Sequence, residues 1–227
     1  LLLQLIQPSK IKSIAVIGAG PVGAGLTKAL LNEKHFDNIE VFEKRPQFGG
    51  LWNYTKPLLK SHGTTSAPEI PCESAYTRIR PHDHEAHGPV FQTPVYKYLD
   101  TNVPKYLMEY YKFPFPNGTP LFPTRDQVLD YLIDYSKPIE KFVNFDQEVV
   151  RLTYNDQTSK YSVSSENLKT GQNSTKEFDA VAIATGFYDL PFIPNRPGLK
   201  EWHSKYPKSI CHAKDFDCPE DYLEADG

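Results

Sequence analysis

Three glycines and one carboxylate have the types and spacing that chemistry would need in this chain. Gly18-Ala19-Gly20-Pro21-Val22-Gly23 is a GxGxxG turn, and Glu43 stands 20 residues beyond its last glycine. Gly18 permits a tight turn out of a strand. Gly20 lets the backbone approach a pyrophosphate, and Gly23 lets a helix pack close against that strand. Pro21 suits a first helical position, where a missing N–H costs nothing. The amide groups that follow, from Val22 on, would face the phosphates together with the positive end of the helix dipole. Glu43 can accept hydrogen bonds from ribose hydroxyls. The chemistry implied is the binding of a dinucleotide.

Such residues need a strand, a helix and a second strand to hold them. Ile14-Ala15-Val16-Ile17 gives the apolar end of a first strand over about 11–17. A helix over about 21–34 carries Val22, Leu26, Ala29 and Leu30 at helical spacing, so that face is expected to be buried. Asn38 to Glu43 reads as the second strand. A βαβ start implies a parallel sheet and an α/β, Rossmann-like class.

Farther on, residues 44–100 are loop-rich. Val103–Tyr110 reads as a short helix with Pro104 in its first turn. Thr124-Arg125-Asp126-Gln127 is a capping box, followed by the buried stripe Val128, Leu129, Leu132 and Ile133, with Pro138 ending or bending that helix. From Phe145 the period becomes two. Strands over 148–154, 161–163 and near 176–178, with Thr170-Gly171 in a turn, predict a small antiparallel meander over about 145–178. Ala180–Ala184 is a continuous apolar run, expected to be a strand buried on both faces.

The 227 residues suffice for one to two domains with ample core. A net charge of −3 gives no electrostatic case for nucleic acid or an anionic membrane. Cys72, Cys211 and Cys218 form no CxxC pair, and their odd number fits a reducing compartment better than a disulfide framework. Leu1–Ile6 is too short for a signal core or a membrane span, so the sequons at Asn53, Asn117 and Asn173 are read as chance. The polar segment His82-Asp83-His84-Glu85-Ala86-His87 invites a metal. Pro81, Gly88 and Pro89 bound it, which favours a solvated loop, and no metal site is expected.

Glu43-Lys44-Arg45-Pro46-Gln47-Phe48-Gly49-Gly50-Leu51-Trp52 resembles the flavin-containing monooxygenase family, whose ribose-binding Glu is followed by a Gly-Gly-x-Trp turn against FAD. Thr101-Asn102-Val103-Pro104 is similar to the family's Thr-Asn-x-Pro segment. Ala184-Thr185-Gly186 is similar to the Ala-Thr-Gly motif that closes an FAD domain in two-dinucleotide flavoproteins. Tyr206 to Phe216 follows the fingerprint Phe-x-Gly-x-x-x-His-x-x-x-(Phe/Tyr) at His212 and Phe216. It departs from it at Tyr206 and at Lys208, which stands where the family has Gly. Thr27 departs too, where such helices carry Ala or Gly.

The resemblance implies a tail over 1–10, an FAD-binding domain over 11–200 with a loop-rich insertion over about 53–100, and a linker over 201–227 toward an NADPH domain whose glycine motif does not occur before Gly227. It implies FAD and NADPH as cofactors, O2 as co-substrate, and oxygenation of an amine, sulfide or thiol through a flavin C4a-hydroperoxide. The alternative is a non-catalytic FAD-binding piece. A cytoplasmic location is implied, with the cytosolic face of the endoplasmic reticulum as a variant; oligomeric state is not legible.

Asn102 is the implied active-site hydrogen-bonding group, against a turn-forming Asn. The cofactor-binding candidates are Gly18, Gly20, Pro21, Val22, Gly23, Glu43, Lys44, Arg45, Gly50, Leu51, Trp52, Thr101, Asn102, Val103, Val149, Ala184, Thr185 and Gly186. For Trp52 a core role stays open, for Arg45 a solvated one, and for Thr185-Gly186 a plain turn. Val149 would meet adenine through its backbone. His212 is read as structural. A disulfide reductase lacks its cysteine pair here, and an NAD-only dehydrogenase leaves the Gly-Gly-x-Trp turn unexplained.

Overall fold

The opening apolar run folds as strand β1 (Ser13–Ile17), with Ala15 and Val16 fully enclosed. This computed structural model describes residues 11–56, 91, 93–188, 194, 196–206, 210 and 212–222, and the backbone of 83–84 and 88–89. Helix α1 (Pro21–Glu33) follows, and Lys34 closes it in the left-handed conformation with its N–H donated to the Leu31 carbonyl. Strand β2 (Asn38–Phe42) returns parallel to β1, pairing Ser13 with Asn38 and Ile17 with Phe42.

The chain divides into two compact units. The first comprises Leu1–Gly50 and Ile133–Thr185, the second Leu51–Leu132 and Gly186–Gly227. In the first unit, β5 (Val143–Asn144) and β9 (Ala180–Ile183) complete a parallel sheet in the order β5-β2-β1-β9. Side chains alternate across β1. Ile14 and Val16 pack on one face with Ala24 of α1, Val41, Phe48 and Ile139. Ala15 packs on the other with Phe42, Val163 and Phe178. The last two belong to the meander β6 (Gln147–Asn155), β7 (Lys160–Asn167) and β8 (Asn173–Phe178), antiparallel throughout. The α/β class, the parallel sheet and the meander agree with the sequence reading.

Several local expectations need correction. In α1 the buried residues are Gly23, Ala24 and Thr27, while Val22 is 71 % exposed and Ala29 is exposed. The helix lies so near the sheet that only small residues fit between them, so the large aliphatics Leu26 and Leu30 sit at the flanks, half-buried. Thr27 is accommodated because its hydroxyl donates to the Gly23 carbonyl at 2.7 Å. Strand β9 is only half-buried, and Ile183 is 68 % exposed, because β9 lies at the edge of its sheet. Strand β5 has two residues and no period to betray it.

Helix α2 (Arg125–Ser136) contains the boundary between the units. Its capping box is formed in both directions: the Thr124 N–H donates to Gln127 Oε1 at 3.0 Å, and the Gln127 N–H to Thr124 Oγ1 at 3.3 Å. Past Ser136 the backbone tightens into a 3-10 helix, Lys137–Phe142, with Pro138 in its first turn.

In the second unit Phe115, Val128, Tyr131 and Leu132 form the core, with the Phe115 and Tyr131 rings stacked 3.9 Å apart. The Tyr131 hydroxyl accepts from the Tyr110 N–H and donates to the Phe113 carbonyl, each at 2.7 Å. Of the helix expected over Val103–Tyr110, only a 3-10 turn at Lys105–Leu107 forms, because the chain turns at Tyr110 to pair with Phe113. The Tyr54 hydroxyl donates to buried Asp217 at 2.8 Å, and the Arg125 guanidinium lies 3.9 Å over the Tyr54 ring. Burial, and then that bond to Asp217, push the Tyr54 phenol up to about 12. A two-residue hairpin, β3 (Asp83–His84) with β4 (Gly88–Pro89), and helix α3 (Leu199–Lys205) also belong to this unit.

Candidate functional site

The glycine turn of the first unit is defined by what a side chain would strike. Gly18 sits at φ +102°, and a Cβ there would come 2.6 Å from the Ala184 carbonyl oxygen. At Gly23 a Cβ would lie 1.9 Å from the Gly18 carbonyl oxygen. The turn is therefore pressed against the end of β9 on one side and folded under α1 on the other. Hydrogen bonds fix it: the Gly18 N–H donates to the Phe42 carbonyl, and the Ala184 N–H to the Ile17 carbonyl, each at 2.8 Å.

Glu43 is 4 % exposed, and both carboxylate oxygens are engaged. Oε2 accepts from the Ala19 N–H at 2.7 Å, and Oε1 from the Arg45 N–H at 2.8 Å. The side chain thus ties the end of β2 to the glycine turn. Its own backbone is held as well, its N–H by the Asn144 carbonyl at 3.0 Å and its carbonyl by the Gln147 N–H at 2.9 Å. A carboxylate has about four acceptor positions, so these two bonds leave capacity for a ligand hydroxyl. Ala19, between the first two glycines, is the site residue that sequence reasoning missed. Its contribution is a backbone N–H, and the sole signal was the small residue that such a tight turn requires.

Helix α1 begins here without neutralisation. Gly20 is its N-cap, no side chain caps it, and no acid stands in its first turn. Pro21 is half-buried and Val22 exposed at that end. Gly50 comes close to the same turn, since a Cβ on it would stand 2.9 Å from Gly20 Cα. The Gly49 N–H donates to the Ala19 carbonyl at 3.4 Å. Arg45 is buried, so the solvated alternative for it fails, and Lys44 is half-buried. Val149 lies in β6 at a bulge, opposite Ser165, two residues after the amide that holds Glu43. Ala184 is half-buried and Thr185 exposed.

The first unit therefore gathers Gly18 to Gly23, Glu43 to Arg45, Gly50, Val149, Ala184 and Thr185. Leu51, Trp52, Thr101, Asn102, Val103 and Gly186 fall in the second. There Leu51 is half-buried, and Trp52 is half-buried with part of its surface against the Phe115, Val128, Tyr131 and Leu132 cluster. Thr101 is buried. Its N–H donates to the Pro123 carbonyl at 2.9 Å and its hydroxyl to the Val103 carbonyl at 3.0 Å. These bonds fix a turn on which Asn102 and Val103 are exposed; Gly186 is exposed too. His212 Nδ1 accepts from the Lys214 N–H at 3.0 Å and caps the 3-10 turn Ala213–Asp215, which gives it a structural role.

The side chains of 82–87 and residue Lys208 lie outside the described residues. Among the described ones, Asp217, Cys218 and Asp221 bring one ligand-type atom each within 4.8 Å of one another. Asp217 Oδ1 already accepts from Tyr54, and burial pushes the Cys218 thiol up. Among the described residues no helix is long and apolar enough to cross a membrane.

The family model "Flavin-binding monooxygenase-like" matches residues 80–225, more than half of the chain. The chain belongs to that family. As a flavin-binding monooxygenase-like chain it is 32 % identical over 203 residues to flavin-containing monooxygenase FMO GS-OX1 of Arabidopsis thaliana, covering 86 % of this chain and 39 % of the relative. It is 29 % identical to the thiol-specific monooxygenase of Saccharomyces cerevisiae, covering 90 % and 40 %. The solved structure of S-allyl-L-cysteine S-oxygenase from Allium sativum superposes with a TM-score of 0.71 at 28 % identity, over 93 % of this chain and 44 % of that one. The flavin-binding monooxygenase-like chain thus spans about two fifths of the length of the curated relatives it matches.

Proposed function

We propose that the first unit binds FAD and that the protein serves a flavin monooxygenase that draws on NADPH and O2 to oxygenate a soft heteroatom in a small molecule, an amine, sulfide or thiol. The observation that carries this reading is Glu43, held under the glycine turn by the Ala19 N–H at the open end of α1. Membership in a flavin-binding family and relatives named for thiol and S-oxygenation support it. When bound, the flavin supplies the activation of O2 and the transfer of one oxygen atom, with NADPH as reductant.

This chain's residues have narrower tasks. The N–H groups at the start of α1 bind and orient the pyrophosphate. Glu43 accepts from ribose hydroxyls with the lone pairs its two backbone bonds leave. Gly18 and Gly23 seat the turn and α1 close against the sheet, Gly50 keeps its segment near Gly20, and Gly20 lets the backbone approach the pyrophosphate. Lys44, Arg45, Val149, Ala184 and Thr185 belong to the same cofactor face in this reading. Leu51, Trp52, Thr101, Val103 and Gly186 of the second unit are assigned to the flavin side. The exposed Asn102 amide, able to donate and accept, orients the reacting end.

Titrating the purified chain into FAD and following flavin fluorescence tests the reading. Saturable quenching at one FAD per chain, weakened in Glu43→Gln, is expected. Fluorescence that never saturates would overturn it. In a full-length protein that includes the NADPH domain, Asn102→Ala should keep the FAD affinity and, in turnover assays, divert NADPH oxidation to hydrogen peroxide; unchanged coupling there would remove that role from Asn102.

A further inference from the structure

Asn117 is the sole asparagine in the chain that precedes a glycine. The pair stands at the tip of a turn in the second unit, with the Thr119 N–H donated to the Pro116 carbonyl at 3.2 Å. Asn117 is exposed. Gly118 sits at φ +88°, a conformation that suits glycine, and a Cβ built on it meets nothing within 4 Å. The Gly118 N–H donates to no group among the described residues. An exposed primary amide, a following backbone nitrogen with no hydrogen-bond acceptor among the described residues, and a following residue that carries no side chain are the conditions for an intramolecular attack.

We propose that Asn117 is a site of spontaneous deamidation and isoaspartate formation. The Gly118 nitrogen attacks Asn117 Cγ and gives up its proton, and the side-chain nitrogen leaves as ammonia. The product is a five-membered succinimide. One water molecule then opens the ring at either carbonyl. One opening gives aspartate; the other gives isoaspartate, in which the main chain runs through the former side chain. No electrons are exchanged. The sum is one water consumed and one ammonia released, with a neutral amide replaced by a carboxylate.

The position gives the change a structural consequence. The next residue, Thr119, accepts a hydrogen bond from the Lys105 ammonium on its carbonyl at 2.6 Å. Its hydroxyl donates to the Pro116 carbonyl at 2.8 Å, and the Lys105 N–H donates to the Leu121 carbonyl at 2.8 Å. This segment therefore fixes the 3-10 turn at Lys105–Leu107, just beyond Asn102 and Val103. An isoaspartate lengthens the main chain inside that strap and places a new negative charge beside it.

Cleavage after Lys112 and Arg125 isolates Phe113–Arg125, a peptide whose sole side-chain amide is Asn117. The whole chain is incubated for several days at mildly alkaline pH and body temperature, then digested and weighed. The expected result is a one-dalton gain in that peptide, ahead of any other asparagine-containing peptide, with isoaspartate outweighing aspartate in a methyltransferase assay. Gly118→Ala, whose methyl group hinders the attack, slows the gain at least severalfold, and Asn117→Gln abolishes it. The inference is overturned if the peptide keeps its mass while other asparagines convert, if the gain gives aspartate alone, or if Gly118→Ala converts as fast as the parent chain.

Discussion

A methyl group at Gly23 would lie 1.9 Å from the Gly18 carbonyl oxygen, inside any permissible contact. Gly23→Ala must therefore push α1 off the sheet or break the turn. We expect a loss of at least about 2 kcal/mol in urea unfolding, together with loss of FAD quenching. A variant of parental stability would show that the helix does not need its close seat. The importance of Gly18, Gly23 and Glu43 was legible in the sequence because each follows from residue type: freedom from a Cβ, or a carboxylate at a given distance along the chain. The bond from the Ala19 N–H to Glu43 was not legible, because a backbone group leaves no mark in the residue letters. Trp52 was ambiguous for another reason. An indole suits a core and a ring-shaped cofactor equally well, and its neighbours Phe115 and Tyr131 come from segments more than sixty residues away.

At the scale of elements, the corner between β8 and β9 is pinned to the start of β1 by Asp179. Its Oδ2 accepts from the Lys12 and Ser13 N–H groups, each at 2.8 Å, and from the Ser13 hydroxyl at 3.0 Å, while Oδ1 pairs with the Lys160 ammonium. That ammonium first, and the two backbone donors next, hold the carboxyl well below the usual carboxylate range. A depressed native value means that the stabilisation is complete above the unfolded aspartate value of about 3.9. It is lost as pH falls from there toward the native value. Urea midpoints should therefore fall for the parent chain through that acid window and fall less for Asp179→Asn, which begins lower at neutral pH. Parallel pH profiles would refute the clamp. The meander and the capping box could be read in advance because a period of two, and a Thr three residues before Gln, are local signals. Strand β5 and the edge position of β9 depend on pairing partners far along the chain, so composition could not supply them.

For the molecule as a whole, the α/β class followed from the order of its first strand, helix and strand. The division into two units did not, because the first unit resumes at Ile133 after an interval of 82 residues, Leu51–Leu132. FAD binding by this chain requires the start of α1 to receive the diphosphate, and Val22 offers a direct test there. It is 71 % exposed at the first turn, so Val22→Asp disturbs no packing. A carboxylate at that position favours the helix dipole by about 0.3–1 kcal/mol, yet it would repel a bound phosphate. The decisive measurement is FAD affinity and thermal stability of parent and Val22→Asp chains side by side. Val22→Asp is expected to match or exceed the parent in stability while its FAD affinity weakens by about tenfold or more, about 1.4 kcal/mol. Equal FAD affinity in the two chains, or no FAD binding by the parent, would contradict binding at the start of α1.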